Sequence, residues 1–89
     1  MKRVCILYNT QAGHGKIARK IDDIAAIFAQ AGYEPLPTHL RFGENPFDGF
    51  AEQPDMVVVC GGDGTINYVI NSMKARSLDI PLGIIPAGT

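Results

Sequence analysis

Residues 56–60, Met-Val-Val-Val-Cys, form an unbroken apolar run, and Gly61, Gly62, Asp63 and Gly64 follow with no spacer. A continuous run of mostly β-branched residues fits a strand buried on both faces. That arrangement belongs to parallel sheets covered by helices on each side. Past the glycines, Ile66, Val69, Ile70 and Met73 recur at helical spacing as far as about Arg76. The glycines therefore sit at a strand-to-helix turn. A helix starting near Thr65 is the expectation, with Asn67 and Tyr68 in its first turn.

The remainder of the chain repeats that grammar. Val4 to Tyr8 is a second apolar run, followed by the loop Thr10-Gln11-Ala12-Gly13-His14-Gly15. From Lys16 to Ala31, Ile17, Ile21, Ile24 and Phe28 recur at spacings of four, three and four. Gly32 stands where a helix C-cap is expected. Residues 33–40 read as a strand carrying Pro35 and Pro37, which only an edge position tolerates. Asn45-Pro46 caps and opens a helical turn with Phe47 and Phe50 facing inward. Residues 80–85 read as a fourth strand, and Pro86-Ala87-Gly88-Thr89 begins another loop. Strands alternating with helices predict one α/β domain over residues 1–89, Rossmann-like and three-layered, with a parallel sheet of about four strands.

Composition narrows the class. At 89 residues, 46% hydrophobic and 19% charged, the chain reads as one small globular domain. No apolar run approaches the roughly 20 residues that span a bilayer, and the first strand lacks a signal-peptide cleavage site, so a cytoplasmic location is expected. Cys5 and Cys60 lie in apolar runs without CxxC spacing and read as free, buried thiols. Through residue 20 there are five bases and no acid. That bias suggests an anion site near the N-terminus and gives no case for nucleic acid.

Three glycine-bearing loops follow strands one, three and four, at the edge where α/β folds bind ligands. Gly61, Gly62 and Gly64 can adopt positive φ and let a phosphate oxygen reach the main chain, and the following helix offers its N-terminal dipole. Asp63 beside a phosphate would bind Mg²⁺ or accept from a ribose or base. The plain alternative is a tight turn with Asp63 as a local helix cap. Lys16, Arg19 and Lys20 read either as a solvated basic face or as counter-charges to phosphate. His14 reads as an exposed loop residue. The first loop is not a Walker A loop, because the glycine five before Gly15 and the Ser/Thr after Lys16 are missing. Gly13 to Ala18 matches GxGxxA, but the acid that the dinucleotide fingerprint requires at the end of strand two is absent.

Gly61 to Asn71 resembles the nucleotide-binding signature of the diacylglycerol-kinase-type lipid kinases. Tyr8 to Lys16 is similar to that family's first loop, with Thr10 in place of its proline. Gly83 to Thr89 is similar to the start of its Pro-x-Gly-Thr motif. The resemblance implies ATP and Mg²⁺ as cofactors and a lipid hydroxyl as phosphoryl acceptor. It implies nucleotide contacts at Asn9, Thr10, Gln11, Ala12, Gly13, Lys16, Gly61, Gly62, Asp63, Gly64, Thr65, Asn67 and Thr89, with Asp63 as a metal ligand. The family also has a threonine near the end of its second strand that touches nucleotide. Leu40 or Arg41 is placed in that region here, and nothing is carried over. No residue of the chain is a credible general base, so the resemblance implies that the base belongs to the family's second, β-rich domain. The chain is expected to be the ATP-binding portion of such a kinase, inactive alone, with peripheral access to membrane and self-association through an exposed sheet edge. The alternatives are an NAD-kinase-like piece, since that family uses a similar GGDG loop, and a non-catalytic nucleotide-binding or interaction module.

Overall fold

The computed structural model describes residues 2–9 and 16–86. Its elements are β1 (Lys2–Tyr8), α1 (Lys16–Gln30), β2 (Tyr33–His39), a 3₁₀ turn (Pro46–Gly49), β3 (Met56–Gly61), α2 (Asp63–Ala75) and β4 (Leu82–Pro86). The four strands form one parallel sheet in the order β2-β1-β3-β4. The two apolar runs, β1 and β3, are the central pair. The strand bearing Pro35 and Pro37 is an edge, as its missing backbone donors require.

Each face of the sheet has its own helix. Val4, Ile6, Val58 and Cys60 pack with Ile21, Ile24, Ala25 and Phe28 of α1. Cys5, Leu7, Val57 and Val59 pack on the opposite face with Val69 and Met73 of α2, together with Leu40 and Phe47. The alternation along each central strand thus feeds two cores, and Val4 to Leu7 are all fully buried. Gly32, at φ 94°, closes α1 as a left-handed cap residue.

The connection from β2 to β3 holds only the 3₁₀ turn. Asn45 caps it by accepting the Phe47 amide at 2.9 Å, and Phe47 is buried. Phe47 and Phe50 cover sheet surface that a longer crossover helix would otherwise cover.

The basic bias of the first 20 residues does not form one patch. Lys2 and Arg3 open β1, at the amino edge of the sheet. The Arg3 guanidinium there donates to the Glu52 carbonyl at 3.0 Å, and its main-chain N–H donates to the Asp55 carboxylate at 2.7 Å. The expected anion site near the N-terminus thus loses these two bases, which lie at the end of the sheet away from the glycine turns.

Cys5 and Cys60 are free and buried on opposite faces of the sheet. Burial, partly offset by a contact with Thr38, pushes the Cys5 thiol up to about 11 from the ordinary 9.0, and burial also raises Cys60. A raised folded-state value means that the folded chain holds these protons more tightly than the unfolded chain. Their contribution to stability is therefore complete below about pH 9 and is lost as pH rises towards about 11. Urea melts at about pH 8 and about pH 10.5 should show a lower midpoint at the higher pH, with the difference reduced in Cys5→Ala.

Candidate nucleotide site at the carboxyl edge

All four strands are parallel, so β1, β3 and β4 deliver their carboxyl ends to one rim. The register places Tyr8 beside Cys60 and Gly61 beside Pro86. The chain leaves β1 towards α1 on one face, and leaves β3 towards α2 on the other. The crevice between β1 and β3 is therefore the switch point at which doubly wound sheets bind ligands.

The GGDG turn is built differently from the sequence expectation. Helix α2 begins at Asp63, two residues earlier than expected, with Gly62 as its N-cap. Asn67 and Tyr68 thus fall in the second turn. Among the described residues, only Gly32 and Gly43 of the glycines have positive φ, so the turn does not use left-handed glycines. Gly62 is extended, at φ −91° and ψ −171°.

The glycines serve separate purposes. A Cβ on Gly61 would lie 2.8 Å from Cβ and 2.9 Å from Cγ2 of Thr65, so the absent side chain is what lets α2 approach β3. At Gly62 and Gly64 a Cβ would meet none of the described residues within 4 Å. Among the described residues, nothing fills the space above their main chain.

Ile66 is the residue whose amide bonds back to the Gly62 carbonyl, at 3.0 Å. The N–H groups of Asp63, Gly64 and Thr65 precede it and have no intrahelical acceptor. Asp63 is exposed in the first turn, and no side-chain hydrogen bond caps the helix, which removes the plain reading of Asp63 as a cap. Asn67 is exposed one turn further along the same face. The Thr65 side chain is buried against Gly61, so what Thr65 offers a ligand is its amide. Asn9, half-buried, follows directly on β1. Thr10, Gln11, Ala12, Gly13 and Thr89 lie outside the described residues, as do His14 and the Lys16 side chain. No group of three or more His, Cys, Asp or Glu residues gathers as a metal cage among the described residues.

Beside this rim, Thr38, His39, Arg41, Glu44, Asn45, Pro46, Asp48 and Gly49 line a cavity of about 280 Å³. β2 ends at His39, one residue before the expected end, and the Thr38 hydroxyl donates to the Leu36 carbonyl at 3.1 Å.

A family model described as the diacylglycerol kinase catalytic domain matches residues 3–89. The chain belongs to that family. It is 34% identical over 94 residues to a diacylglycerol kinase of Bacillus subtilis (strain 168), covering 100% of this chain and 31% of that protein. It is 32% identical over 92 residues to a diacylglycerol kinase of Staphylococcus aureus (strain MRSA252), covering 99% and 29%. A solved structure assigned as a diacylglycerol kinase, from Bacillus anthracis str. Sterne, superposes with a TM-score of 0.75 at 28% identity. That match covers 99% of this chain and 33% of that one. The chain thus spans about a third of the length of these relatives. Membership of this family replaces the NAD-kinase alternative. No helix among the described residues is long and apolar enough to cross a membrane.

Proposed function

We propose that this chain is the ATP-holding part of a diacylglycerol-kinase-type lipid kinase, with the crevice between β1 and β3 as its polyphosphate site. The observation that carries the reading is the combination at Gly62 to Thr65. Consecutive main-chain N–H groups without intrahelical acceptors stand at a switch point, and none of the described residues occupies the space over Gly62 and Gly64.

The residues fit the ligand. Amides at a helix N-terminus bind phosphate oxygens without a side chain. A lone carboxylate completed by phosphate oxygens is a common way to hold Mg²⁺, and that part falls to Asp63. Bound ATP supplies the γ-phosphoryl group, and Mg²⁺ neutralises its charge. The chain's own contribution is to hold and orient the polyphosphate, which is most of what phosphoryl transfer asks of a protein.

With phosphates on the α2 amides, the nucleoside end is assigned to the cavity by Thr38 and Arg41 on the β2 side. Asn9 to Gly13, Lys16 and Thr89 complete the polyphosphate contacts by family resemblance. The lipid hydroxyl and the base that deprotonates it are assigned to parts of the relatives that this chain does not span.

Asp63→Ala tests the assignment of the carboxylate. Calorimetric titration should show ATP affinity in Mg²⁺ falling about tenfold, by loss of one charged ligand. Affinity measured without Mg²⁺ should be unchanged or improved, because a repelling carboxylate has gone. Equal losses with and without Mg²⁺ would remove Asp63 from the metal site.

A further inference from the structure

Helix α2 and its C-cap grip the β2–β3 connection through one stripe of residues spaced four apart. The Tyr68 hydroxyl accepts the Gly43 amide at 2.8 Å and donates to the Glu44 carbonyl, with the Arg41 carbonyl also in reach at 3.3 Å. One turn on, the Ser72 carbonyl accepts from the Asn45 side-chain amide at 3.0 Å. After another turn, Arg76 pairs with Asp48. The Phe42 ring packs edge-on to Tyr68, with centroids 4.8 Å apart.

The segment held by Tyr68 is a four-residue turn from Arg41 to Glu44. Its closing bond runs from the Glu44 amide to the Arg41 carbonyl at 3.2 Å, and Gly43 at φ 98° occupies its third position. Glycine is the residue that a type II turn needs there. Such a turn leaves the amide of its third residue unpaired, and the Tyr68 hydroxyl takes up that amide. The turn is also tied to the rim, because Leu40 donates to the Tyr8 carbonyl at 2.7 Å. Arg41 and Glu44 line the cavity beside Thr38.

We infer that Tyr68 is a positioning residue for nucleotide binding. By clamping the Arg41–Glu44 turn to the second turn of α2, it fixes one wall of the nucleoside cavity relative to the amides that hold the phosphates. The inference rests on the nucleotide reading above and deepens it. Further along α2, Ser72 and Arg76 hold Asn45 and Asp48, which also line the cavity; Tyr68 is the contact of the stripe that holds the Arg41–Glu44 wall.

Tyr68→Phe keeps the ring and the Phe42 contact and removes both the acceptor and the donor. The test is calorimetric titration of the wild-type protein and Tyr68→Phe with Mg·ATP and with Mg·tripolyphosphate, beside amide hydrogen exchange in the unliganded proteins. The expected result is faster exchange at Gly43, ATP affinity about fivefold weaker, unchanged tripolyphosphate affinity, and unchanged exchange in β1 and β3. A purely structural role would not separate ATP from tripolyphosphate. ATP affinity equal to wild type, or equal losses for both ligands, would overturn the positioning role and leave the polyphosphate site standing. A wild-type protein that binds neither ligand would overturn both.

Discussion

Gly62→Val is expected to weaken ATP binding on the order of 100-fold while leaving the fold intact. Gly62 is extended, a conformation that valine adopts readily, and a Cβ there would meet none of the described residues within 4 Å. Among the described residues, what opposes the substitution is the poor fit of valine to the α2 N-cap, about 1 kcal/mol or less, so the melting temperature should fall by no more than about 8 °C. A ligand meets a different surface. The branched side chain would stand in the open space over the turn and hold phosphate away from the amides of Asp63 and Gly64. Losing two charge-assisted hydrogen bonds at the lower end of their range, about 1.5 kcal/mol each, gives the stated factor. Calorimetry and a thermal melt on the same sample check both halves. Wild-type affinity in Gly62→Val would show that no ligand approaches there.

Gly61→Ala, one residue earlier, should do the reverse. Its added methyl would come within 3.0 Å of three Thr65 side-chain atoms. Thr65 is buried and β-branched, so it has few other rotamers to adopt, and α2 must move off β3 instead. Overpacking of this kind costs about 1–3 kcal/mol, which lowers the melting temperature of a domain this size by about 5–20 °C. An unaltered melting temperature would mean that the helix does not sit as close to the strand as the geometry requires. If both results are found, the two neighbouring glycines separate folding from binding: Gly61 is small for the helix, and Gly62 for the ligand.

That division was not legible in the sequence. Gly61, Gly62 and Gly64 read as three equivalent residues chosen for positive φ, and none adopts it. Their demands come from what lies above each one, which depends on how α2 packs. The early start of α2 has the same origin, since Gly-Asp-Gly has poor helix propensity and the first turn is set by Thr65 seating on Gly61. What could be read was whatever local pattern dictates. The valine run identified a central strand, Pro35 and Pro37 placed β2 at an edge, and Asn45-Pro46 announced a capped turn. The contacts of Tyr68 were not legible either, because its partners lie 24 to 27 residues away. Neither periodicity nor spacing carries such a contact. Arg3 was counted with the other early bases for a similar reason. Its position at the amino edge follows only from strand direction.

The most direct measurement is a titration of the isotopically labelled protein with Mg·ATP, following every backbone amide by NMR. The account predicts the largest shifts at Asp63, Gly64 and Thr65, with smaller ones around Asn9 and in the Arg41–Glu44 turn. Shifts confined to the amino edge near Arg3 and Asp55, or to the outer face of α1, with those three amides unmoved, would contradict it.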